Sequence, residues 1–258
     1  DPNQAVVPNA KVAVSNSETG VQRQTTTSGD GQYRVGALNP GTYEVKVDAP
    51  GFATTTMNGV VVSVGSSVTV NLAVSLSATV QSVEVSSELL QVTDTHPSQV
   101  VGMEAIRDLP INGRRFQDFA SLTPTVQANS DTRGQLSFVG QRGINSNVMV
   151  DGTDYNEPFF GGIRGGERSI FAFTVPQSSV QEFQTVTAGY SAEYGRSTGG
   201  ILNAVTRSGS NSYHGDAFYQ LRHKELGLKS PLNQQSLETQ HQYGGGVGGP
   251  IRKDKLFF

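Results

Sequence analysis

Four histidines and one group of acidic residues are the side chains best suited to metal or acid–base chemistry. The histidines are His96, His214, His223 and His241, and none belongs to an H-x-x-E or H-E-x-x-H pair. A zinc peptidase needs His and Glu ligands around an open coordination position, with a carboxylate as general base. The sequence has no cysteine, which excludes disulfides, thiolate metal sites and a Cys nucleophile. We therefore expect no catalytic residue, no metal ion and no cofactor.

Two further patterns resemble ligand-binding loops. Asp151, Asp154, Asn156 and Glu157 lack the regular ligand alternation of an EF-hand loop, so we interpret them as turn residues. The glycine-containing residues 194–200 resemble part of a phosphate loop. They lack the Lys-Ser/Thr ending, and a strand pattern follows where a helix would be needed. The acidic group therefore predicts backbone turns, and the glycine-containing residues do not predict a phosphate loop.

Length and composition limit the classes of protein that remain. The 258 residues favour two domains, and 30 glycines with a polar remainder of Ser, Thr, Asn and Gln favour a β-rich exported protein. The net charge of −3 leaves no basic block for nucleic acid. The first residues show no signal-peptide pattern, so we expect any signal peptide to have been removed or to lie outside this sequence. No run approaches the roughly 20 apolar residues of a membrane helix, so a membrane contact would require a β-barrel.

Residues 1–80 show the strand and turn pattern of a β-sandwich. Apolar residues alternate in short runs, as in the pairs Val12/Val14 and Tyr33/Val35, and residues 59–74 predict a closing hairpin. Three strings, TSGDGQY, LNPGTY and APGF, begin at positions 27, 38 and 49. They resemble the carboxypeptidase regulatory-like domain, a transthyretin-like sandwich. Metallocarboxypeptidases carry that domain as an accessory, so the resemblance implies no catalytic role.

The next region combines short helical patterns with buried strands. Residues 101–110 and 116–124 each predict a helix that stops before a proline. Residues 148–150 predict a buried strand that ends in a positive-φ turn at Asp151 and Gly152. The glycines before residues 201–205 predict a close backbone approach, followed by another buried strand.

This region also contains five short motifs: LP at 109–110, NGR at 112–114, LTP at 122–124, GQR at 140–142 and DG at 151–152. Together they resemble the plug of TonB-dependent outer-membrane receptors, although the helical patterns alone are equally typical of ordinary amphipathic helices. Residues 179–209 closely resemble the plug end of the Oar-like branch, which carries the regulatory-like sandwich in front.

Residues 81–98 join the two regions and admit two interpretations. They form either a polar interdomain linker with one short strand, or the coupling segment of the receptor. In the second case the resemblance implies that Val83, Glu84 and Val85 are the TonB box. Such a box adds a strand to the periplasmic energy-coupling protein through main-chain hydrogen bonds.

The loop after the plug strand is rich in glycine, aromatic residues and arginine. Its composition fits either plain surface or an apical loop that meets the external ligand through Tyr155, Phe159, Phe160 and Arg164. The class of ligand stays open among peptide, glycan and metal chelate.

Residues 210–258 predict the first strands of a membrane barrel. Apolar and polar residues alternate from position 213 to 222, as expected of a strand with a lipid face and a lumen face. Residues 242–251 and 255–258 resemble the second strand and the start of the third in the same receptors. A soluble hairpin is the alternative. Outer-membrane transporters close with about 22 strands, so we expect a truncated receptor.

The sequence therefore predicts a mainly β protein with a transthyretin-like or Ig-like sandwich and a mixed α+β plug. The predicted order is sandwich 1–80, linker 81–98, plug 99–209 and barrel strands 210–258. The resemblance implies the N-terminal portion of a transporter of the cell outer membrane, with the sandwich on the periplasmic side, and no enzyme activity. A non-transporting surface binding or adhesion module built from the same domains is the alternative.

Overall fold

A computed structural model describes residues 5–76, 81–84, 98–109, 116–128, 135–159, 175–190, 192, 194–223 and 239–258. These residues are mainly in β-strands, with a few short helices, which confirms the predicted fold class. The chain divides into two compact units, Asp1–Arg207 and Ser208–Phe258. No helix in the described part of the chain is long and apolar enough to cross a membrane.

The sandwich domain is built on one five-stranded sheet. Its strand order is β2-β1-β3-β4-β5, with antiparallel neighbours except for the parallel β4–β5 pair. The strands are β1 (Lys11–Asn16), β2 (Gln22–Thr26), β3 (Gly41–Asp48), β4 (Thr55–Val62) and β5 (Gln81–Glu84).

Alternation along β1 and β3 builds the core of this domain. Val12 and Val14 pair with Val47 and Val45, and all four side chains are buried on one face of the sheet. Residues of the two segments 33–38 and 68–74 pack against that face. These segments hold each other through the hydroxyl of Tyr33, which donates to the carbonyl of Val70 over 3.0 Å.

The predicted hairpin across residues 59–74 is wrong. β4 is already paired with β3 on one edge and with β5 on the other, so residues 68–74 cannot join it as a neighbouring strand. They cover the sheet face instead, where Val74 is buried. The alternation of valines predicted the buried face correctly but not the strand partner.

The plug sheet consists of five strands in the order β10-β9-β12-β11-β6. β9 and β12 are parallel, and the other neighbours are antiparallel. A separate hairpin of β7 and β8 lies between β6 and β9 in the chain. The elements are β6 (Ser98–Gly102), α1 (Met103–Asp108), β7 (Val126–Ala128), β8 (Leu136–Phe138), β9 (Asn147–Val150), β10 (Thr153–Asp154), β11 (Val180–Val186) and β12 (Ile201–Thr206).

The first predicted helix is shorter than expected, because its opening residues form β6. Val101 pairs with Phe183 of β11 and is buried there, so sheet pairing overrides its helical pattern. α1 begins at Met103 and buries Ile106. The second predicted helix is a 3₁₀ helix, Phe116–Leu122, which places the fully buried Phe119 in the plug core.

The described part of the second unit contains two hairpins. β13 (His214–Arg222) pairs with β14 (Gln240–Gly248), and β15 (Pro250–Arg252) pairs with β16 (Leu256–Phe257). Tyr219 and Tyr243 are register partners, and both are exposed, as are Leu221 and Val247. These apolar side chains alternate with polar ones along the first hairpin, as the sequence predicts for a barrel strand pair.

Candidate functional site: the coupling segment and the plug sheet

The candidate coupling segment begins inside the sandwich sheet. Val83 and Glu84 lie in β5, in register with Met57 and Asn58 of β4, while Val85 lies outside the described residues. β5 ends the strand order, so its second edge carries no other strand of the described chain. An edge of this kind has main-chain groups available for one further strand.

The first described strand after the coupling segment is β6, which is also an edge strand. Among the described strands β6 pairs only with β11, from Ser98 opposite Val186 to Gly102 opposite Glu182. β12, in contrast, is held on both sides by β11 and β9. The strand nearest the coupling segment is therefore held by one neighbour among the described strands, as is β10 at the other edge of the sheet.

The Asp-Gly motif fastens the opposite side of the plug sheet. Asp151 and Gly152 have φ values of 51° and 74°, which confirms the predicted positive-φ turn. The Asp151 carboxylate accepts hydrogen bonds from the backbone N–H and the hydroxyl of Thr206, both over 2.8 Å. The turn that ends β9 is thus tied to the end of β12.

Asp154 and Asn156 also serve turn and strand positioning. Burial alone would raise the pKa of the Asp154 carboxyl, but hydrogen bonds from Asn156 and the charge of Arg196 outweigh it and lower that pKa. Asn156 in turn accepts from the Val148 N–H over 3.1 Å and donates to the Asn147 side chain over 2.6 Å. No group of three or more His, Asp or Glu residues in the described ranges is arranged to hold a metal ion.

The glycine-rich motif before β12 allows a close approach between two elements. A Cβ at Gly200 would overlap the ring of Phe138, which is fully buried in the plug core. The residues that follow are the strand β12, as predicted, and their side chains are largely buried. The motif therefore packs a hairpin against the sheet.

The candidate ligand loop is described only at its beginning. Tyr155 is half-buried and packs against the plug core, and its N–H donates to the Val148 carbonyl over 2.8 Å. Phe159 is 86% exposed. Phe160 and Arg164 lie outside the described residues.

One residue of the plug sheet that the sequence analysis missed is Glu182. It is a buried carboxylate in β11, and burial raises its pKa above the ordinary glutamate value. Hydrogen bonds from the Val64 N–H and from Ser63 partly offset that rise. The available signal was the alternation of Glu182, Phe183 and Gln184, which places polar residues on one face of a strand with an apolar opposite face.

Comparison with known proteins assigns families to these regions. Residues 1–75 match the carboxypeptidase regulatory-like domain, residues 91–201 the TonB-dependent receptor plug domain and residues 205–258 an outer membrane beta barrel domain. The TonB-dependent transporter Oar of Myxococcus xanthus is 30% identical over 97% of the chain. The chain spans 25% of the length of that relative.

Solved structures of receptors are also similar to this chain. The ferric enterobactin receptor PfeA of Pseudomonas aeruginosa is 19% identical over 62% of this chain and 23% of its own, with a TM-score of 0.46. The siderophore receptor PirA of Acinetobacter baumannii is 24% identical over 61% of this chain and 23% of its own, with a TM-score of 0.44.

Proposed function

We propose that this chain, whose regions match the regulatory-like, plug and barrel domains and which is similar to the transporter Oar over nearly its whole length, is the front part of an Oar-like TonB-dependent outer-membrane receptor and gates energy-coupled uptake of an external ligand. The observation that carries the proposal is the position of β6. The first described strand after the coupling segment is an edge strand of the plug sheet. A pull on that segment therefore acts on the part of the sheet that is held by one neighbour.

The gating step is mechanical in this proposal. A TonB-type periplasmic protein adds a strand to the TonB box of the coupling segment through main-chain hydrogen bonds. The box consists of Val83, Glu84 and Val85. Tension then reaches β6, whose removal breaks one ladder, while removal of β12 would break two. A net backbone hydrogen bond contributes only about 1 kcal/mol, so the short β6–β11 ladder is a feasible first point of opening.

The remaining roles follow from the same arrangement. We assign residues 1–80 to a sandwich on the periplasmic side, 81–98 to the coupling linker, 99–209 to the plug and 210–258 to the first barrel strands. The external ligand is a peptide, a glycan or a metal chelate, met by the loop with Tyr155, Phe159, Phe160 and Arg164. No residue of the chain performs covalent chemistry in this scheme.

A non-transporting adhesion module is the weaker alternative. The relative that spans nearly the whole chain is a transporter, and the plug domain is the part of such receptors that closes a pore. An adhesion module would have no use for a coupling segment next to an edge strand.

The coupling segment can be tested by its main chain. Val85→Pro removes a main-chain donor, while Val85→Ala keeps it, and Thr93→Pro places the same residue elsewhere in the linker. We expect Val85→Pro to weaken binding of the purified chain to the periplasmic domain of a TonB-type protein at least tenfold, and the two controls to bind normally. Equal binding by all three variants would contradict the assignment of the coupling segment.

A further inference from the structure

The face of the plug sheet opposite its apolar core carries buried polar side chains beside the buried apolar residues Val186 and Ile201. On β11, Phe183 points into the core, while Glu182 and Gln184 point the other way and are only 7% and 5% exposed. Asn203 of β12, the register partner of Gln184, is buried on that same face. A carboxylate and two amides on one covered face need a polar partner.

A turn of the sandwich domain supplies that partner. The backbone N–H of Val64 donates to the carboxylate of Glu182. Gly65 lies so close to Gln184 that a Cβ at position 65 would overlap that amide. A second contact, from the Gln181 side-chain amide to the Pro40 carbonyl over 3.4 Å, joins the same two domains.

The 63–66 turn is built to present this donor. The Ser66 N–H donates to the Ser63 carbonyl over 3.1 Å, and the Ser66 hydroxyl donates to that carbonyl over 2.7 Å. Gly65 has a φ of 67° and Val64 has a negative φ, which identifies a type II turn. In such a turn the N–H of the second residue is not used internally, so the Val64 N–H is available to the plug.

We propose that the 63–66 turn and Glu182 form a latch that keeps the sandwich docked on the plug strand β11. The latch residues are far apart in sequence, and each is held by its own domain: the turn by its internal hydrogen bonds, and Glu182 by pairing of β11 with β6 and β12. The Val64 N–H offsets part of the cost of burying the Glu182 carboxylate between the two domains.

The latch has a consequence for coupling, and this step rests on the proposed function. The turn directly follows β4, and β4 holds β5, which begins the coupling segment. On its other side the segment leads to β6, which pairs with β11 and places Gly102 opposite Glu182. The coupling segment is therefore tied to β11 twice, through the latch and through β6, so a pull must release the sandwich as well as β6.

Two substitutions weaken the latch from opposite sides. Val64→Pro deletes the donor N–H at the turn position that proline favours, so the turn itself is kept. Glu182→Ala deletes the acceptor. Their matched controls are Val64→Ala, which keeps the N–H, and Glu182→Gln, whose amide oxygen still accepts.

Docking is measured by the distance between two spin labels on the full chain. The sequence has no cysteine, so Arg23→Cys on β2 and Gln127→Cys on β7, both exposed, give one labelled pair. We expect one narrow distance distribution in the otherwise unaltered chain and in both controls. Val64→Pro and Glu182→Ala should each broaden it by at least twofold.

Two results would overturn the latch. One is a broad distribution of spin-label distances in the otherwise unaltered chain, and the other is a narrow distribution in Val64→Pro and Glu182→Ala. Hydrogen exchange of β3 and β11 amides monitors folding, and if Glu182→Ala fails to fold, the surface-turn variant Val64→Pro decides. The TonB-type domain is absent from the distance measurement, so equal binding of that domain by all three variants of the earlier binding experiment would contradict the proposed function without touching the latch.

Discussion

The two faces of the plug sheet differ in polarity, although residues of one face alternate with residues of the other along the same strands. The face of Phe183 is apolar, and its ring lies 5.8 Å from that of Phe119 at an angle of 48°. The face of Glu182 carries buried polar groups. The side-chain oxygens of Gln184 and Asn203 have no hydrogen-bond partner among the described residues.

This difference separates permanent packing from releasable packing. Apolar contacts stabilise the plug in proportion to the area that they bury. Covering polar side chains stabilises less than covering apolar ones, because each polar group exchanges its hydrogen bonds to water for those within the protein. A sheet that must hold its own fold yet release a neighbour benefits from having one face of each kind.

The largest difference in stability between the two faces is expected at two adjacent residues of β11. Phe183→Ala should lower the free energy of unfolding by about 3–5 kcal/mol, because it leaves a cavity in the aromatic core. Gln184→Ala, one residue later on the polar face, should cost less than about 1 kcal/mol. Urea denaturation of the full chain measures both, and similar losses would show that the two faces are energetically equivalent.

The glycine that touches the apolar face should give a smaller effect. Gly200→Ala forces a Cβ into the Phe138 ring, and overpacking of this kind costs about 1–3 kcal/mol. Gly195→Ala is the matched control, because a Cβ there meets no atom within 4 Å. An unchanged stability of Gly200→Ala would mean that the hairpin of β7 and β8 can move away from the sheet.

Replacing a polar by an apolar side chain on one face of β12, and an apolar by a polar one on the other, should change the stability by different amounts. Asn203→Leu replaces an amide whose oxygen has no partner among the described residues by an apolar side chain of similar size, so the unfolding free energy should change by less than about 1 kcal/mol. Leu202→Asn buries an amide in the apolar core and should destabilise by more than about 2 kcal/mol. The same denaturation assay checks the pair, and a large loss for Asn203→Leu would contradict the polar face as a region of weak packing.

Local chemistry made part of this structure predictable from sequence. The turn at Asp151 and Gly152, the strand after Gly200 and the alternation in β13 each depend on residues close together in the chain. Their signals are a positive-φ residue, a position without a side chain and a period of two.

Long-range pairing could not be predicted in the same way. The short strand β5 carries no pattern that selects β4 as its partner, and Val101 carries a helical pattern that its pairing with Phe183 overrides. The contact between Val64 and Glu182 joins a turn and a strand whose sequences show no mutual signal. The sequence therefore predicted the elements better than the contacts between domains.

The smallest predicted effect is a pH dependence that belongs to the polar face alone. Burial raises the folded-state pKa of Glu182 above its unfolded value, so the folded chain binds this proton more tightly than the unfolded chain. The contribution of Glu182 to stability is then fully present below the unfolded pKa of a glutamate. It is lost as the pH rises through the higher folded-state pKa.

Glu182→Gln cannot titrate, so the difference in unfolding free energy between this variant and the unaltered chain should grow with pH across that window. Glu104→Gln, an exposed glutamate of α1, is the control and should follow the unaltered chain. Parallel stability curves for Glu182→Gln and the unaltered chain would show that the carboxylate is equally well solvated in the folded and unfolded states.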